Sequence, residues 1–138
     1  MKEVYVTRRE RFNAAHRLFN PSWGDDKNES VFGKCSNKNW HGHNYEVFVT
    51  VKGTVDIETG YVIDMKVLSD LIKSKITDKM DHKNLNLEVA FLKGVITSAE
   101  NIVISIYNEL YNDIKKIGKQ LHCVRLHETE NNYVEYHG

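Results

Sequence analysis

The run HGHNYEVFVTVKG, from His41 to Gly53, alternates without a break: His41, His43, Tyr45, Val47, Val49 and Val51 share one parity. Successive side chains of an extended strand point to opposite faces, so such a run has one buried face and one wet face. A helix would scatter these residues around its whole circumference, so the chain must build a sheet covered on one side. A second alternating run stands at the start, EVYVTRRERFNAAHRL, in which Val4, Val6, Phe12, Ala14 and His16 share a parity. Its inward face ends in a histidine, and the inward face of the later run begins with two. The polar segment NPSWGDDKNESVFGKCSNKN joins them and holds the only proline. If the two strands are antiparallel neighbours, the end of the first lies beside the start of the second.

Beyond Gly53, TVDIETGYVID is expected to turn at Glu58 to Gly60 and return as a short hairpin partner. MKVLSDLIKSKITDKM then switches to helical spacing through Met65, Leu68, Leu71, Ile72 and Ile76, with Asp64 as its N-cap. DHKNLNLEVAFLKGV reads as an irregular connection. A second helix opens at TSAEN, where Thr97 and Glu100 have capping-box spacing, and its stripe runs through Ile102, Val103, Ile106, Leu110 and Ile114. Two closing strands, LHCVRLHET and YVEYH, are split by Glu130, Asn131 and Asn132. The expected fold is α+β, a four-stranded antiparallel sheet with two helices on one face, in a single domain spanning residues 1–138.

Nineteen basic and nineteen acidic side chains cancel, so no global field recruits nucleic acid or an anionic membrane. No apolar run is long enough to span a bilayer and the first residues do not resemble a signal peptide, which points to the cytoplasm. A cytoplasmic chain keeps Cys35 and Cys123 reduced. Cys123 lies in the strand-like run LHCVRLHE and reads as a buried structural thiol. Cys35, among Gly, Lys, Ser and Asn, does not have core surroundings.

On the proposed pairing, His16 joins His41 and His43 on one face. Three neutral imidazoles suit zinc, and three protein ligands leave a fourth position open, as catalytic zinc sites do. The plain alternative is three unrelated histidines. Cys35, six residues before His41, is either a fourth ligand closing a structural site or a nucleophile or base favoured by cations such as Lys34. An exposed thiol without a role is the third reading. Asp81 and His82 are adjacent, and a carboxylate beside an imidazole orients and charges it, although such dipeptides are common in loops. Glu128 has the parity of Val124 and Leu126, and an inward carboxylate needs a partner; a ligand with two adjacent N–H donors would supply one.

Together these stretches resemble the 6-pyruvoyl-tetrahydropterin synthase family over essentially the whole chain. FNAAHRLFNPS, FGKCSNKNWHGHNY, DHKNL, TSAENI and HETENNYVEY stand in the family's order and spacing. The related 6-carboxy-tetrahydropterin synthases usually place three residues between their cysteine and HGH, whereas this chain has five, Ser36 to Trp40. Trp40 and the pair Ser98-Ala99 depart from the family's usual residues beside the pocket.

The resemblance implies zinc held by His16, His41 and His43, a proton-abstracting thiolate at Cys35, and Asp81 and His82 completing a triad with it. Glu128 would anchor the pterin ring, with Ser98 a further substrate-binding candidate. It implies a zinc-dependent lyase that takes 7,8-dihydroneopterin triphosphate to 6-pyruvoyl-tetrahydropterin with loss of triphosphate, in tetrahydrobiopterin-type biosynthesis. No nicotinamide or flavin is needed. Lys34, Lys38 and Lys83 are the candidates to meet the triphosphate. The implied assembly is a homohexamer of two trimers, in which tunnelling-type sheets join into a barrel and subunits share active sites. Two other readings stay open: a 6-carboxy-tetrahydropterin synthase of queuosine precursor synthesis, and a zinc-stabilised binding module without catalysis.

Overall fold

The structure, a computed structural model, describes residues 2–138. Strands β1 (Glu3–His16) and β2 (His41–Thr54) pair antiparallel over their whole length, from Glu3 opposite Thr54 to His16 opposite His41. Strand β4 (Gln120–Thr129) pairs with β2, and β5 (Asn132–Tyr136) pairs with β4, both antiparallel. A two-residue strand, β3 (Lys83–Asn84), adds parallel to β1 at Ala14 and Ala15. The sheet is therefore five-stranded and mixed, in the order β3-β1-β2-β4-β5, and not the four-stranded antiparallel sheet expected. Two residues carry no periodicity, so only the docking of residues 83–84 on the free edge of β1 reveals β3.

The covered face is the one the alternation assigns, except at the start of β1, where Val4 is exposed. Phe12, Ala14 and His16 of β1 and Tyr45, Val47, Val49 and Val51 of β2 are buried. Helix α2 (Met65–Ile72) runs on through a π-helical turn (Lys73–Thr77) into the short α3 (Asp78–Met80). It contributes Leu68, Ile72, Ile76 and Met80 to one continuous core with Ile102, Val103, Ile106, Leu110 and Ile114 of α4 (Ala99–Lys116). Asp64 caps α2, accepting from the Lys66 N–H at 2.8 Å.

Three further expectations change. The segment after β2 does not return as a strand. Instead the Asp56 carboxylate accepts the Glu58 and Thr59 N–H groups, the turn closes on itself, and Val62 and Ile63 drop into the core. The long polar connection is largely helical, with α1 (Asp25–Phe32) and a 3-10 turn (Gly33–Ser36). This helix has no apolar stripe to betray it; buried Asn28 holds it, donating to the carbonyls of Asn20, Trp23 and Gly24 and accepting the Asn20 N–H. The cap of α4 moves by one residue. Ser98 accepts the Asn101 N–H, while the Thr97 hydroxyl turns inward to Asn86. No helix of the described residues is long and apolar enough to cross a membrane.

Candidate active site

The full-length register of β1 against β2 sets His16 opposite His41 and Ala14 opposite His43. One ligand nitrogen from each of His16, His41 and His43 lies within 4.8 Å of the others. Behind them Tyr45 stacks on Phe12 with ring centroids 4.8 Å apart, and its buried hydroxyl has no hydrogen-bond partner. His16 is fully buried, and its Nδ1 lies 2.8 Å from the Thr97 carbonyl oxygen. A carbonyl only accepts, so Nδ1 carries the proton and Nε2 keeps its lone pair. Nε2 of His16, Nδ1 of His41 and Nε2 of His43 are buried without a partner.

Burial pushes the His16 imidazole down to about 4, and the two neighbouring histidines add to the effect against the hydrogen bond it donates to the Thr97 carbonyl. Burial and His43 also lower His41, partly offset by Glu128. Clustered imidazoles with buried nitrogens that lack a hydrogen-bond partner are what a cation of the zinc class requires, so these residues fit it. Cys35 does not belong to this cluster, which argues against a closed four-ligand site.

Glu128, at the end of β4, brings its carboxylate oxygens to 3.8 Å from His43 Nε2 and 3.9 Å from His16 Nε2. Those distances are too long for hydrogen bonds, so neither imidazole nitrogen satisfies the Glu128 carboxylate. Glu128 lines a cavity of about 220 Å³ together with Leu18, Ser98, Glu100 and Tyr133. Ser98 lines this cavity, with its hydroxyl oxygen capping α4.

The Asp81-His82 pair exists as a hydrogen-bonded unit. His82 Nδ1 lies 2.8 Å from Asp81 Oδ2, and Asp81 Oδ1 accepts the Asn13 N–H at 2.8 Å. That backbone donor first, and His82 second, hold the Asp81 carboxyl below its usual range. His82 has a left-handed backbone (φ 59), fixed by its N–H bond to the Asn13 carbonyl, and its ring is exposed. Trp40, next to His41, shares that conformation (φ 67). Such backbones are unfavourable for non-glycine residues and concentrate at functional sites.

Within one chain the thiol and the pair are not brought together. Cys35 is half-buried in the 3-10 turn, with its carbonyl accepting the Leu18 N–H, whereas Asp81 is tied to Asn13. Five residues of nearly extended chain separate Asn13 from Leu18, on the order of 15 Å. Asp81 borders a different cavity of about 430 Å³, with Arg11, Asn13, Asn44 and Glu46. The three lysines also separate. Lys34 and Lys38 line a cavity of about 830 Å³ with Arg17, Lys38 being paired with Asp25 at 2.8 Å, while Lys83 lies elsewhere with Lys79.

The positioning groups at Thr97, Asn13 and Asn86 were not foreseen. Thr97 and Asn13 act through their backbones, on partners 81 and 68 residues away, so no side-chain pattern announces them.

A profile of the family described as 6-pyruvoyl tetrahydropterin synthase matches residues 5–138. The 6-pyruvoyl tetrahydrobiopterin synthase of Dictyostelium discoideum is 40% identical over 137 residues, covering 99% of this chain and 98% of that protein. The solved structure of Caenorhabditis elegans 6-pyruvoyl tetrahydropterin synthase matches with a TM-score of 0.93 at 36% identity, covering 100% of this chain and 97% of that one. The 6-carboxy-5,6,7,8-tetrahydropterin synthase of Rickettsia bellii is similar at 27% identity over 149 residues, covering 96% of this chain and 99% of that protein. With nearly its whole length matched, and with the histidine cluster lying where two paired strands converge, the chain belongs to the 6-pyruvoyl tetrahydropterin synthase family.

Proposed function

We infer that the chain is a lyase that converts 7,8-dihydroneopterin triphosphate to 6-pyruvoyl-tetrahydropterin, eliminating triphosphate. The observation that carries this reading is the convergence of three unsatisfied imidazoles beside the Glu128 carboxylate, in a chain of this family. His16, His41 and His43 would hold zinc, which supplies Lewis acidity toward the substrate's side-chain hydroxyls when bound. Glu128 receives the adjacent N–H groups of the pterin edge and so fixes which side-chain carbon faces the cluster. Cys35 takes up and returns the proton at that carbon. Asp81 stays ionised and holds His82 by its Nδ1, so the imidazole is oriented to exchange a proton with a thiol beside it. Loss of triphosphate and an internal redox shift then need no external oxidant. Because the thiol and the pair lie apart in one chain, the reading includes a homo-oligomer, a hexamer of two trimers, in which a neighbouring subunit supplies the Asp81-His82 pair.

Incubating purified protein with 7,8-dihydroneopterin triphosphate and analysing the products by mass tests the reaction. Release of triphosphate with the 6-pyruvoyl product supports it. A 6-carboxy product would place the chain with the side-chain-cleaving enzymes, and unchanged substrate would end both readings. Sedimentation should give a particle several times the 16.0 kDa chain mass, and an active monomer would refute the shared site. Glu128→Gln should weaken substrate binding by roughly ten- to hundredfold, the equivalent of about 1.5–3 kcal/mol for a charge-assisted hydrogen bond. Calorimetric titration with a non-reacting pterin measures it, and unchanged affinity would remove Glu128 from the anchoring role.

A further inference from the structure

The opposite face of the sheet carries a cluster that the proposed reaction does not use. Cys123 of β4, Glu135 of β5 and His137 just after β5 bring a thiol, a carboxylate oxygen and an imidazole nitrogen within 4.8 Å of one another. Cys123 pairs with Thr50, whose parity on β2 is opposite to that of His41 and His43. Seven residues of β2 separate Thr50 from His43, on the order of 23 Å. This cluster is therefore spatially independent of the three histidines.

A local irregularity builds it. The pairing of β2 with β4 shifts between Thr50 opposite Cys123 and Val51 opposite Leu121, which leaves His122 as an extra residue. A bulge breaks the strict alternation and re-aims the side chains around it. His122 packs on Tyr5 at 4.7 Å and edge-on against His137 at 5.4 Å, while Cys123 is buried with only 7% of its surface exposed. Across the β4–β5 pair, Arg125 stands opposite Glu135 and its Nε donates to Glu135 Oε1 at 2.7 Å. That anchor leaves Oε2 facing the cluster, 3.3 Å from His137 Nε2.

The geometry points to a second metal site, in which Cys123, Glu135 and His137 take up a thiophilic divalent cation of the zinc class. Sulfur, imidazole nitrogen and one carboxylate oxygen form a borderline-soft donor set, which suits zinc or cobalt and not magnesium or calcium. Arg125 orients the carboxylate, the kind of support that ligands commonly have. His122 is the neighbour from which a fourth donor would come. Without a cation, burial and the Glu135 charge both hold the Cys123 thiol in its protonated form. A bound cation would displace that proton and offset the carboxylate's charge.

The full-length protein, kept reduced and titrated with cobalt(II), tests this directly. A thiolate–cobalt charge-transfer band in the near ultraviolet reports sulfur ligation, which the three-histidine site lacks. The band should appear in the wild type, persist in Cys35→Ser and in His41→Ala, disappear in Cys123→Ser, and be abolished by added zinc. His137→Ala and Glu135→Gln, both at exposed positions, should weaken the cobalt affinity read from this band by at least roughly tenfold. These two carry the test if Cys123→Ser fails to fold. No band in the wild type, a band that survives Cys123→Ser, or affinity unchanged in both exposed variants would overturn the site.

Discussion

If the proposed zinc binds at the three imidazoles, replacing His41 or His43 with alanine should strip it and abolish turnover, because two ligands remain where three converge. Losing only the hydrogen-bond partner of a ligand costs about 10–100-fold in metal affinity, and losing the ligand itself should cost more. His16→Ala should behave the same way and should also lower stability, since it empties a fully buried position and orphans the Thr97 carbonyl. Metal analysis is best made in a Cys123→Ser background, where about one zinc per chain is expected and only the imidazole site is counted. Full zinc occupancy in a His16, His41, His43 triple-alanine variant would refute the assignment. Cys35→Ala should keep its zinc, because the thiol stands outside the ligand cluster.

The second large effect concerns proton transfer. On the proposed roles, Cys35→Ala should abolish turnover while pterin binding, assigned there to Glu128, remains. Asp81→Asn and His82→Ala should each lower the rate by roughly 10²–10⁴, the usual loss for a general acid–base group. On this reading Asp81 is the positioning member: Asp81→Asn keeps the shape of the pair but replaces the charged partner of the imidazole with a neutral one. Its pH–rate profile should therefore shift as well as fall, a change that a purely structural role would not produce. Assembly makes the sharpest test. When inactive Cys35→Ala and His82→Ala chains are unfolded together and refolded, activity should return in about a quarter of the sites if thiol and pair come from different subunits. Steady-state rates on the mixture measure this, and no recovery would count against a shared site.

Much of this was legible in the residues. Period-two alternation determined that β1 and β2 are strands and which face is buried, because parity is a local property of an extended backbone; the three histidines meet because those strands pair antiparallel in full register. The helical stripes of α2 and α4 and the cap at Asp64 are local in the same sense. The ordered motifs from FNAAH to HETENN carried the family. Tertiary structure alone decided the rest. The strand at Lys83 and Asn84 exists only because the edge of β1 offers hydrogen bonds, and the helix at Asp25–Phe32 depends on a buried asparagine instead of an apolar stripe. The tautomer of His16 is set by the carbonyl of Thr97, and the reach of Asp81 by the amide of Asn13, backbone groups identical in every residue but proline and so without a sequence signature. Likewise the separation of Cys35 from His82 is a distance between loops, which depends on how far β1 runs between them and not on the identity of either residue.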